Sequence, residues 1–89
     1  MRVLILGKNQ IEKIKGLDYL VSLDVLDLHD NRISKIENLK NLTNLRIINL
    51  SNNLIKTLEI PYQLKFLNEL NLRKNVICEV REICHLTSL

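Results

Sequence analysis

Four asparagines stand at positions 9, 31, 53 and 75, each 22 residues after the one before. The frame around them repeats as well. Leu6, Leu28, Leu50 and Leu72 precede them by three residues, and Leu4, Leu26, Ile48 and Leu70 lie two positions earlier. Two residues after each Asn come Ile11, Ile33, Ile55 and Ile77. No other feature limits the fold so tightly. Self-similarity at a fixed period in this range marks a stacked repeat, in which one unit cannot bury its apolar side without its neighbours.

The frame divides the chain into four copies, 1–22, 23–44, 45–66 and 67–88. In the first, Val3 to Gly7 reads as a short strand and Lys8 to Gln10 as a tight loop. Ile11, Ile14, Leu17 and Leu20 follow at three-residue spacing, which predicts an inward-facing return segment of short helical or 3₁₀ character. Ile33, Ile36, Leu39 and Leu42 repeat that spacing in the second copy, where Asn38, Asn41 and Asn44 face away as turn and cap residues. In the third, Pro61 takes the column of Leu17 and Leu39, and Ile60 before it is expected to restore the lost apolar volume. The fourth continues through Ile77, Val80, Ile83 and Leu86. Met1 falls in the column of Leu23, and Leu89 would open a fifth copy. Terminal repeats normally carry polar caps. None is legible here, so the chain is expected to be a slice of a longer array or part of a complex.

Strands that recur once per copy should lie side by side and parallel, about 4.8 Å apart. The rest of each copy is then the crossover, expected to be right-handed. The Asn column needs its own reason. A carboxamide both donates and accepts. Where strand turns to loop, a buried amide can satisfy backbone groups on its own turn and on the next, which explains a polar residue at an inward position.

This frame resembles the 22-residue variety of the leucine-rich repeat, across all four copies. The resemblance implies an α/β solenoid: a right-handed coil with a concave parallel β-sheet and short helical or 3₁₀ convex segments. The variety is that of intracellular leucine-rich proteins such as a protein-phosphatase-1 regulator, a spliceosomal subunit, and axonemal and ciliary components. Arg2 to Asn9 and Ser22 to His29 are most similar to the leucine-rich subunits of tubulin polyglutamylase complexes. The resemblance therefore implies a non-catalytic adaptor or scaffold in a tubulin-modifying, ciliary or cytoskeletal complex. Its alternatives are a phosphatase regulatory subunit and a component of an RNA–protein particle.

Side chains alternate along a strand. If Leu26 and Leu28 point in, then Val25, Asp27 and His29 point out. So do Val3, Ile5 and Gly7 in the first copy, Ile47, Asn49 and Ser51 in the third, and Glu69, Asn71 and Arg73 in the fourth. This face grades from apolar to charged along the array, a surface suited to a protein partner. Asp27, His29 and Asp30 invite an acid–base or metal reading, but an open sheet does not exclude water, and no nucleophile stands beside them in the frame.

The remaining features narrow the function further. Thirteen basic and ten acidic residues give a net charge of +3, with Lys and Arg scattered, and Lys8 and Lys74 share a column that Asp30 and Asn52 interrupt. Tyr19, Tyr62 and Phe66 all lie on return segments, so the sheet offers no stacking platform for bases, and nucleic acid is not the expected partner. Cys78 and Cys84 lie in solvent columns without a paired spacing, and with His85 they supply too few ligands for zinc. Free thiols without a disulfide framework point to a reducing intracellular setting, and the cytoplasm is the expected compartment. No apolar run approaches the length of a membrane span. No cofactor, small-molecule substrate or enzymatic activity is expected.

Overall fold

The computed structural model describes residues 2–81. Four three-residue strands, β1 (Val3–Ile5), β2 (Val25–Asp27), β3 (Ile47–Asn49) and β5 (Glu69–Asn71), form one parallel sheet in the order β1-β2-β3-β5. The register follows the repeat without a slip. Leu4 pairs Leu26, Leu26 pairs Ile48, and Ile48 pairs Leu70. Each strand is shorter than the five residues expected of the first, but its ladder runs on. The Leu6, Leu28 and Leu50 amides donate to the carbonyls of Asp27, Asn49 and Asn71, all at 2.8 Å.

Behind the sheet lies a core built from the repeating columns. Leu26, Leu28, Ile33, Leu42, Leu45, Ile48, Leu50 and Ile55 are almost wholly removed from solvent. Ile14, Ile36 and Leu39 join them from the return segments. The outer copies are less covered: Leu4, Leu6, Leu70, Leu72 and Ile77 are only partly buried against this core. Ile60 is 2% exposed, so it supplies the volume that Pro61 does not. Val80 departs from its expected inward position. It is 66% exposed, in the last described turn, where described repeats cover it on one side only. Met1, Ile83, Cys84, His85, Leu86 and Leu89 lie outside the described residues.

The return segments correct the expectation of helix. Among the described residues there is no α- or 3₁₀-helix. The chain instead makes isolated turns, with Leu20 N–H donating to Leu17 C=O at 2.9 Å and Leu23 to Leu20 at 3.1 Å, and the same pair recurring at Leu42 and Leu45. Such bonds never fall on two successive residues, so no turn extends into a helix. The three-residue apolar spacing reflects these successive turns. In the second half of the chain the return side is extended, and β4 (Thr57–Leu58) pairs in parallel with β6 (Glu79–Val80). A cause can be read in one column. Gly16 and Asn38, 22 residues apart, have φ of 76° and 60°. Ile60 occupies the next copy of that position, and a β-branched residue followed by proline does not adopt the left-handed conformation.

The asparagine column does the stitching. Asn53 Nδ2 donates to its own turn at Leu50 C=O (3.0 Å) and to the preceding turn at Leu28 C=O (3.0 Å), while its Oδ1 accepts the Ile33 amide (3.0 Å). Asn31 does the same with Leu28, Leu6 and Ile11, and Asn75 with Leu72, Leu50 and Ile55. The neighbour served is thus the preceding copy, not the following one as expected. Asn9 reaches only its own turn, at Leu6 and Gly7, among the described residues.

Replacing Asn53 by Leu leaves backbone groups on two turns without partners, at a cost of about 1–3 kcal/mol for each buried group. Denaturant unfolding should show a large loss for Asn53→Leu and a much smaller one for Asn9→Leu. Equal losses would contradict the stitching role.

Candidate interaction face

The sheet has one side against the core and one side open. The strand register places Val3, Val25, Ile47 and Glu69 in one outward row, and Ile5, Asp27, Asn49 and Asn71 in the next. Gly7, His29, Ser51 and Arg73 follow just past the strand ends. The nine outward residues named in the second to fourth copies all lie in these rows. Val3 and Ile5 are 50% and 63% exposed, whereas Val25, Asp27, His29, Ile47, Asn49, Ser51 and Asn71 are half-buried and Glu69 and Arg73 exposed. The grading from apolar to polar is real in space as well as in sequence.

Three of these residues have a second employment that their position on the face conceals. Asp27 Oδ1 accepts the His29 amide at 3.1 Å, Asn49 Oδ1 the Ser51 amide at 3.0 Å, and Asn71 Oδ1 the Arg73 amide at 3.1 Å. Each side chain folds back on its own backbone two residues ahead and closes an Asx turn where the strand ends. The signal was present in the sequence: an Asp or Asn recurs at the 22-residue interval in three copies. In the first copy Ile5 takes this position and cannot accept. The next residue but two in each copy completes the bend. Lys8, Asp30, Asn52 and Lys74 all take left-handed φ, between 54° and 59°. Asp and Asn suit that conformation better than Lys, and Asn52 Nδ2 also donates to Asp30 Oδ1 at 2.7 Å.

Asp27 also holds the His29 ring, with Nδ1 2.6 Å from Oδ1. A carboxylate oxygen only accepts, so Nδ1 carries the hydrogen and Nε2 is left for another group. The ring lies over Gly7 of the preceding copy. A Cβ at Gly7 would meet the imidazole, 2.7 Å from Nε2 and closer still to Nδ1 and Cε1. Gly7 is thus the socket for His29, a relation the sequence did not suggest. Ser51 is the neighbour of His29 in the same row. His29 leans toward Gly7 on the other side, and no Ser51–His29 hydrogen bond forms. The base-to-nucleophile contact of a hydrolytic triad is missing from this arrangement.

No group of three or more His, Cys, Asp or Glu side chains converges as a metal site among the described residues. Cys78 is exposed and free, and Cys84 and His85 lie outside the described residues. Tyr19, Tyr62 and Phe66 are exposed on the return side, away from the sheet face. No helix among the described residues is long and apolar enough to cross a membrane.

A repeating strand, an asparagine ladder and a leucine-lined core define a class of protein built to present a surface. A family model of two consecutive leucine-rich repeats matches residues 1–41, and a single-repeat model matches residues 44–67. The chain belongs to the leucine-rich repeat family, whose members generally mediate protein–protein interaction and are typically not enzymes. No individual curated protein matches it.

Substituting Gly7 by Ala should expel the His29 ring from its socket and break its contact with Asp27. Imidazole ¹⁵N chemical shifts read this directly. A large change at His29 Nδ1 is expected, and an unchanged spectrum would contradict the packing described.

Proposed function

We propose that the chain is a non-catalytic protein-binding module whose partner docks on the open face of the four-stranded sheet. The observation that carries this reading is the exposure of Val3 and Ile5 beside the polar rows of the later strands. Apolar side chains in register with charged ones give a partner both a water-excluding contact and a rim that sets orientation. His29, with Nε2 available, and Arg73 would supply directional contacts, while Asp27, Asn49 and Asn71 shape the backbone that presents them.

In this reading the four copies of 22 residues wind as a right-handed solenoid with the sheet on its concave side. The continuous register and the one-directional asparagine ladder both support it. The setting we assign is intracellular and cytoplasmic, as an adaptor or scaffold in a larger assembly. The likeness of Arg2–Asn9 and Ser22–His29 to leucine-rich subunits of tubulin polyglutamylase complexes favours a tubulin-modifying, ciliary or cytoskeletal assembly.

The test is affinity capture from cell extract, with the retained proteins identified by mass spectrometry. The parent is compared with Ile5→Glu/Ile47→Glu on the open face and with Lys40→Glu on the return side. A tubulin-modifying enzyme retained by the parent and Lys40→Glu, but lost from the double variant at unchanged melting temperature, is the expected result. A phosphatase catalytic subunit would move the assignment to a regulatory subunit. Recovery abolished by ribonuclease would move it to an RNA–protein particle. Equal recovery by all three baits would overturn the docking face itself.

A further inference from the structure

The return side changes its course between the second and third copies, and a groove lies between them. In copies one and two the return segments pass through the left-handed residues Gly16 and Asn38, and Asn38 Nδ2 ties the pair by donating to Ile14 C=O. In copies three and four the segments are extended and pair as β4 and β6. At the junction the loop ladder stops with Leu54 N–H donating to Ile33 C=O. Beyond it the two copies share no backbone hydrogen bond along Ser34–Ile36 and Lys56–Leu58, among the described residues. A groove of about 430 Å³ opens there, with Ser34 and Lys35 on one wall and Lys56, Thr57 and Glu59 on the other. Ile36 is 6% exposed, so its side chain keeps the core closed beneath.

Both walls carry unused backbone groups. The β6 side of β4 is occupied, because Glu79 N–H donates to Lys56 C=O and Arg81 N–H to Leu58 C=O. Successive residues of a strand point their N–H and C=O to opposite edges, so Thr57 presents its pair to the other edge. Ser34, Lys35 and Ile36 make no backbone hydrogen bond to any described residue. An unpaired strand edge is a template for another strand. The charges select which kind. Lys35 and Lys56 enter no ion pair among the described residues, and Arg81, at the groove end, is held through Nε by Glu79 at 2.9 Å. Glu59 is the one acidic group of the lining.

We propose that this groove binds an extended acidic peptide as an added strand on the β4 edge. The peptide's amide and carbonyl groups pair with Thr57, and its carboxylates meet Lys35 and Lys56. This surface is separate from the open face of the large sheet, so the module would hold two partners, or two parts of one, at once.

The test uses the ¹⁵N-labelled chain and a capped peptide of alternating valine and glutamate, with a valine–lysine peptide as control. Saturable binding of the glutamate peptide is expected, with slowed hydrogen exchange at Thr57 and no shift at Val25, Ile47 or Asn49. Lys35→Glu/Lys56→Glu should weaken binding by about ten-fold or more. Thr57→Pro, which removes an amide the fold does not use, should weaken it at unchanged melting temperature. Equal binding of both peptides, perturbation confined to the open face, or no binding would overturn the proposal. So would Thr57 protection that grows with protein concentration in the absence of peptide, since that assigns the edge to a second copy.

Discussion

The structure depends on a carboxamide that bonds two turns at once. Parallel strands one repeat apart satisfy each other's backbone along their length, but at the strand end the chain bends and the ladder loses its regular geometry. A buried unpaired amide or carbonyl there would cost about 1–3 kcal/mol. Asn31, Asn53 and Asn75 remove that cost. Each donates to a carbonyl on its own turn and to one on the turn before, and accepts the amide of the isoleucine that starts the earlier return segment. Leucine at this column would pack as well and pair nothing. The side chain thus links local conformation to stacking, and it does so in one direction along the array.

That direction bears on how such a chain presents a surface. With the bend fixed from inside by Asn, the strand ends can be shaped from outside by a second residue. Asp27, Asn49 and Asn71 do this by accepting the backbone N–H two residues on. The bend is then held from both faces, and the residue within it, His29, Ser51 or Arg73, is presented at a fixed position. The outward rows can change in character from copy to copy because the inward columns bear the packing. Val3 and Ile5 at one edge and Glu69 and Arg73 at the other share a backbone register yet offer unlike chemistry.

The strands, their register, the inward columns and the Asn ladder were legible because each recurs at one interval with one physical demand. Leu26 and Ile48 must point inward wherever the sheet has a single core face. The conformation of the return segments is not legible in sequence, because three-residue apolar spacing is common to 3₁₀-helix and to successive separate turns, and only the hydrogen bonds at Leu20, Leu23, Leu42 and Leu45 distinguish them. β4 and β6 are two residues each, too short to show alternation. Their cause, Ile60–Pro61 in place of a residue that accepts positive φ, becomes visible only when columns rather than segments are compared. At the candidate site, the outward positions of Asp27, His29 and Arg73 followed from alternation. The Asx turns and the Gly7 socket did not, since both depend on where a side chain bends after it leaves the strand.

Native-state hydrogen exchange tests the asparagine ladder most directly. The amides of Ile11, Ile33 and Ile55 lie in loops by secondary structure, where exchange is ordinarily fast, but each is bonded to an asparagine Oδ1 of the following turn. If the ladder holds the array together, the Ile33 and Ile55 amides exchange as slowly as the Leu28 and Leu50 amides that continue the sheet ladder, through global unfolding. If they exchange at the rate of the exposed loops, the asparagines are ornaments on a sheet that coheres without them, and the account is wrong.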